Sequence, residues 1–375
     1  MKVLLISPYH GGSHRAWAEG YRRYSAHDLF LLTLPARYWK WRMHGGAVTL
    51  SREFAASDFN PDVILATDML DMSTFLSLTR DRTSGTPVVL YMHENQLTYP
   101  LPEDPDSGPM RRQHGERDLH YAFINYASML SADQVVFNSE FHRRSFLDAL
   151  PGFLNHFPEF REEQTVGRLE EGSLVLPVGL DLEELQSAAT TPERNLPLIL
   201  WNQRWEYDKN PEAFFQAILT LAAEGVPFEL AVCGESFQQP PEIFETAARQ
   251  LNSHVIHWGY AEQDLYSSLL WDATLTVSTA LHEFFGISIL EAAFCQTLPL
   301  LPRRLSYPEI LPPEFHEPCL YDHQAELPGR IKQALADRQS TRKTAQALAA
   351  RVGTYNWRKL APQYDRLLEK VAAAG

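Results

Sequence analysis

Cysteine is scarce: the three in 375 residues, Cys233, Cys295 and Cys319, are widely spaced, and two lie in apolar runs where a small hydrophobe suffices, so no disulfide framework is expected. Fourteen histidines are present, yet none falls into a ligand spacing such as His-Glu-x-x-His, and no metal site is expected. No apolar run approaches the ~20 residues of a membrane span, which removes the membrane from the expected partners. The opening residues 1–12 form a short apolar run ending in a glycine turn, more like a first β-strand than a secretory signal, so the expected location is cytoplasmic. No Gly-x-Gly-x-x-Gly follows that strand, which sets the nicotinamide dehydrogenases aside. An overall basic excess is also missing, for the net charge is −14. Its distribution is uneven: residues 1–60 carry eight Lys and Arg against four Asp and Glu. A polyanion would therefore meet the first half of the chain.

What is there is alternation. Short leucine-rich or β-branched runs at 2–7, 29–34, 62–66, 88–92, 134–138 and 173–178 alternate with helix-like segments, and a second series follows at 198–202, 228–233, 254–258, 274–278 and 298–301. This spacing predicts parallel sheets covered by helices on both faces, and the restart near residue 180 predicts two doubly wound, Rossmann-like α/β domains. Pro177 and Gly179 interrupt the pattern and mark the hinge. The expected division is 1–178, 179–354 and a terminal amphipathic helix over 355–375. A loop rich in Pro, Asp, Gly and Ser is expected over 101–113.

Polar residues of unusual kind stand at the predicted strand ends. Glu283 precedes the turn Phe284-Phe285-Gly286, and the run from Ile287 has the apolar spacing of a helix that carries Glu291. A helix start attracts phosphate through its free N–H groups, and a carboxylate on either side of it can hold sugar hydroxyls. A nucleotide sugar would be gripped at both ends, though a capped helix with a solvated Glu gives the same pattern. Arg204 and Lys209 follow the strand 198–202, with Pro211 opening the next helix. Such cations are either surface charges or a clamp for a leaving diphosphate that needs no metal. Gly11, Gly12 and Ser13 after the first strand allow close backbone approach to a ligand, with Ser13 as candidate helix cap. His93, Glu94, Asn95 and Gln96 discharge from the strand 88–92, and each is costly to bury without partners. Trp39, Lys40, Trp41 and Arg42 interleave rings with cations, a combination suited to bases and phosphates, and Arg111 and Arg112 form a second basic cluster in the same half. Both clusters equally suit ordinary exposed faces.

The Glu-x7-Glu arrangement and the Arg/Lys pair resemble the donor site of the family-4 retaining glycosyltransferases. Longer segments narrow the match: Ser7-Pro8-Tyr9-His10-Gly11-Gly12-Ser13-His14, Met92-His93-Glu94-Asn95-Gln96-Leu97-Thr98-Tyr99-Pro100, Phe137-Asn138-Ser139-Glu140-Phe141-His142, Trp201-Asn202-Gln203-Arg204-Trp205-Glu206-Tyr207-Asp208-Lys209-Asn210-Pro211 and His282-Glu283-Phe284-Phe285-Gly286 together resemble the tRNA-queuosine mannosyltransferase family. The resemblance implies the GT-B architecture, two Rossmann-like domains with a ligand cleft between them and a last helix crossing back to the first. It implies retaining transfer of mannose from GDP-mannose to queuosine in a tRNA, with no cofactor and no metal. It assigns catalysis to His93, Arg204, Lys209 and Glu283. The donor falls to Gly11, Gly12, Ser13, Tyr260, Phe284, Phe285, Gly286, Ile287 and Glu291, with Tyr260 either against the base or in the core. The acceptor falls to His14, Glu94, Asn95, Gln96, Trp39, Lys40, Trp41, Arg42, Arg111 and Arg112. One departure is Gln296, where many family-4 relatives carry glycine, which puts backbone contacts to the donor in question. A family-4 enzyme extending a lipid-linked or soluble glycan, or a non-catalytic nucleotide-sugar or RNA-binding module, are the competing readings.

Overall fold

The computed structural model describes residues 1–100, 118–189, 194–235 and 241–374. They form two compact units, Met1–Leu180 with Trp357–Gly375, and Asp181–Asn356.

In the first unit six strands, β1 (Lys2–His10), β2 (Asp28–Pro35), β3 (Val63–Thr67), β4 (Val88–Met92), β5 (Gln134–Phe137) and β6 (Ser173–Val175), make a parallel sheet in the order β2-β1-β3-β4-β5-β6. Every residue of β3 and β4 is buried, which is why these runs are apolar without alternation: helices cover both faces. The strand order reverses between β1 and β3, the switch point outside whose carboxyl ends such sheets bind ligands.

The chain leaves β1 through Gly11, where a Cβ would lie 2.4 Å from that of Ala36, and Gly12, at φ +49°. These two constraints explain the paired glycines. The helix Gly12–Tyr24 is capped by Gly11 with no side-chain bond, so Ser13 sits exposed inside the first turn and is not the cap.

The last helix, Trp357–Ala374, belongs to this first unit. Trp17 Nε1 donates to Tyr364 Oη (3.1 Å), and Asp365 accepts from Tyr21 Oη (2.7 Å), Ser25 Oγ (2.6 Å) and the Ala26 amide (2.9 Å).

The second unit repeats the plan with β7 (Leu198–Asn202), β8 (Glu229–Cys233), β9 (Val255–Gly259), β10 (Leu275–Val277), β11 (Leu298–Pro302) and β12 (Leu320–Tyr321), all parallel in the order β12-β11-β10-β7-β8-β9. Its switch point lies between β7 and β10, which Thr276 Oγ1 ties together by donating to Asn202 Oδ1 (2.8 Å). Cys233, Cys295 and Cys319 are buried free thiols. No helix among the described residues is long and apolar enough to cross a membrane.

Candidate active site

In the second unit the chemistry gathers beyond β7 and β10. After β7 the chain makes one tight turn, Tyr207–Lys209, and Asn210 follows in the left-handed region (φ 51°), which Asn tolerates better than most residues. Pro211 then starts the helix Pro211–Ala223 with its fixed φ. This tight passage turns Asp208 and Lys209 inward, and both are buried. The loop after β10 is laid over the turn: Leu281 and His282 donate their amides to the Asp208 carbonyl (2.8 and 3.3 Å), and Thr279 Oγ1 donates to that of Lys209 (2.9 Å).

Lys209 Nζ donates to the His282 carbonyl (2.9 Å) and lies 3.2 Å from both Glu283 Oε2 and Asp208 Oδ2. Arg204, with a side chain 43% exposed, reaches the same Asp208 oxygen at 3.6 Å. Burial opposes the charge on Lys209, but Glu283 and Asp208 outweigh it and hold the ammonium above its ordinary range. Burial likewise opposes the charge on Asp208, and Lys209 and Arg204 overcome it, leaving the carboxyl below its usual value. His282 is pushed down to about 4 by burial and then by Lys209, so it is neutral at physiological pH. The result is a fixed positive pair whose counter-charges are carboxylates.

Gly286 sits at φ 99° and caps the helix Ile287–Phe294 without a side-chain bond. Glu291 lies on this helix and accepts from Tyr266 Oη (2.9 Å). Burial pushes Glu291 up to about 7, with the Tyr266 bond pulling it down and Glu184 pushing it up. Phe284 and Phe285 are buried, packed edge-on against His282 and Tyr355. Their rings belong to the interior, so only their backbone is available to a donor. Ile287 is half-buried. Tyr260, 62% exposed beyond β9, is not a core aromatic.

In the first unit the corresponding cluster lies beyond β3 and β4. His93, 8% exposed, has its ring 4.4 Å from His14 and 4.8 Å from both Trp17 and Tyr91. Its amide donates to Asp68 Oδ1 (2.8 Å), and its carbonyl accepts from Asn138 Nδ2 (2.9 Å). Burial, then His14 and His142, holds the His93 ring well below its usual pKa, so it is neutral. Asp68 is driven the other way: burial first, then the Glu94 charge, raises it well above the carboxylate range despite the His93 amide. Gln96 Nε2 donates to Glu94 Oε1 (2.9 Å). Asn95 Oδ1 is spent on its own loop, accepting from the Leu97 and Thr98 amides (3.1 and 2.8 Å), which makes it a turn-former first.

Along the helix Trp39–Ala55, Trp39 packs on Tyr121 (5.1 Å) with Lys40 Nζ over both rings, and Arg42 Nε donates to the Pro35 carbonyl (3.0 Å). Trp41 is 62% exposed. Arg111 and Arg112, with the expected loop at 101–113, lie outside the described residues, which resume at 118. No group of three His, Cys, Asp or Glu able to hold a metal occurs among the described residues.

Asp208, His282, Tyr266 and Asp68 were not anticipated. Asp208 carried a signal, a carboxylate four residues after one cation and adjacent to the other; Tyr266 carried none, because its partner lies 25 positions away on another helix.

Two six-stranded parallel sheets, each with polar residues beyond its switch point, give the two-domain α/β plan of the GT-B fold class. Solved structures of this fold include sucrose-phosphate synthase from Thermosynechococcus elongatus (15% identity, TM-score 0.73, covering 100% of each chain) and HepE of Anabaena in complex with UDP (15%, TM-score 0.66, covering 99% of this chain and 100% of that one). Residues 2–180 match the model of the tRNA-queuosine alpha-mannosyltransferase N-terminal domain, and residues 183–351 match glycosyl transferases group 1. The tRNA-queuosine alpha-mannosyltransferase of Drosophila melanogaster is 35% identical, over 83% of this chain and 82% of its own length. The chain belongs to the tRNA-queuosine alpha-mannosyltransferase family.

Proposed function

We propose that the protein transfers mannose from GDP-mannose, with retention at the anomeric carbon, to queuosine in tRNA. The observation that carries the reading is the buried Lys209, held charged between Glu283 and Asp208 beside Arg204 at the end of β7. As the bond from the anomeric carbon to the diphosphate breaks, its electron pair stays on the phosphate oxygen, and Arg204, Lys209 and the helix start after Gly286 take up that charge. The incoming hydroxyl oxygen bonds to the same face of the carbon and gives its proton to the departing phosphate. Glu283 holds hexose hydroxyls, Glu291 the ribose, and neutral His93 supports positive charge on the sugar. Trp41 and Lys40 offer a ring and a cation to the RNA.

Donor turnover tests this reading. Lys209→Ala and Arg204→Ala are each expected to lower kcat on the order of 10²-fold. Because protein cations carry the charge, wild-type turnover is expected to persist in chelator. Unchanged kcat in both variants would reduce the pair to surface charges, and loss in EDTA restored by a divalent ion would return the charge to a metal.

A further inference from the structure

We infer that Asp208 is a positioning residue for the diphosphate clamp, its buried carboxylate fixing Lys209 and tethering Arg204 so that both cations meet the leaving group. The inference rests on the glycosyl-transfer reading above and adds to it the residue that organises the clamp. Asp208 is 0% exposed, and its charged neighbours within 4 Å among the described residues are Lys209 (3.2 Å) and Arg204 (3.6 Å), both reached through Oδ2. Burying a carboxylate is costly unless charge and geometry compensate, so an apolar residue would serve packing better here. Its backbone is fixed independently of its side chain, by the amides of Leu281 and His282 on the Asp208 carbonyl and by Asn210 and Pro211 just beyond. The main chain at residue 208 is therefore held by groups that would survive neutralisation of its side chain.

The need for it follows from Glu283. Lys209 has two carboxylates at 3.2 Å. When Glu283 holds hexose hydroxyls, Asp208 remains as the fixed counter-charge that keeps a buried ammonium protonated. The titratable groups facing this pair are Arg204 on the same turn, His282 and Glu283 on the loop after β10, and Tyr307 on the short helix Tyr307–Ile310. His282 is already neutral and Tyr307 is pushed far up by burial and Glu283, so neither titrates in the alkaline range where Lys209 would.

The test compares wild type, Asp208→Asn and Asp208→Glu by kcat and donor KM from pH 6.5 up through the ordinary lysine range to about pH 11, with thermal melts alongside. Asp208→Asn removes an influence that raises Lys209, so the ammonium loses its proton at lower pH. Its kcat should fall about 10- to 100-fold with donor KM changed less than about 3-fold, and its alkaline limb should move to lower pH. Asp208→Glu should recover much of both. A kcat within about 2-fold of wild type with an unmoved alkaline limb would overturn the assignment. So would loss of folding in both variants, or equal loss at every pH without recovery by Glu, since either makes the residue structural. A wild type that turns over no nucleotide sugar would instead remove the glycosyl-transfer reading beneath it.

Discussion

Gln296 ends the helix that carries Glu291, and it does so in a left-handed conformation at φ 63°. The Thr297 amide donates back to the Ala292 carbonyl (3.0 Å) and the Gln296 amide to that of Ala293 (3.2 Å), the paired bonds of a Schellman ending. Glycine is the residue that adopts this position without a Cβ penalty, so the departure noted in the sequence is explained by helix termination and needs no contact with the donor. Gln296→Gly should stabilise the protein by about 0.5–1 kcal/mol in denaturant unfolding with donor KM unchanged, and destabilisation would refute this account. Asp68 makes a pH prediction. Its folded pKa is raised, so the folded state keeps a proton the unfolded chain has lost, and its contribution to stability is fully present below the unfolded value near 4 and declines as pH rises toward the folded value. Asp68→Asn, which stays neutral, should gain stability over wild type between pH 4 and neutrality; a gap that shrinks over that range would show an ionised Asp68. Lys209 and Glu283 could be singled out in the sequence as charged residues after predicted strands, with a surface charge or a solvated Glu at a capped helix as the alternative. Asp68 and Tyr266 could not, because each matters through a partner on another element.

At the scale of elements, close approach of helices replaces long-range pattern. Gly20 on the helix Gly12–Tyr24 and Gly179 after β6 both face the buried indole of Trp357, where an added Cβ would lie 2.1 and 2.2 Å from ring atoms. Gly20→Ala should cost about 1–3 kcal/mol of stability, visible as a lowered melting temperature, and more if Trp357 cannot shift; an unchanged melt would mean the helix is not seated there. The amphipathic pattern of the terminal helix announced the element, but nothing local links residue 20 to residue 357. Strands were read more easily, since apolar runs buried on both faces leave a continuous signal. The exception is β12, whose two residues, Leu320 and Tyr321, are too few to show a period. The cap of the first helix was misread for a related reason: serine favours that position, but Gly11, two residues before Ser13 and required by Ala36, takes the place.

At the scale of the molecule, a chain of net charge −14 is proposed to act on a polyanion, and the basic excess of residues 1–60 is what reconciles the two. The doubly wound plan of each unit could be read from strand spacing, while the acceptor could only be read through family resemblance, since spacing of residues does not encode a modified nucleoside. The most direct measurement is incubation with GDP-mannose and bulk tRNA that either contains or lacks queuosine, followed by mass analysis of the nucleosides. The account predicts a hexose increment on queuosine alone; no increment there, or an increment on tRNA that lacks queuosine, would contradict it.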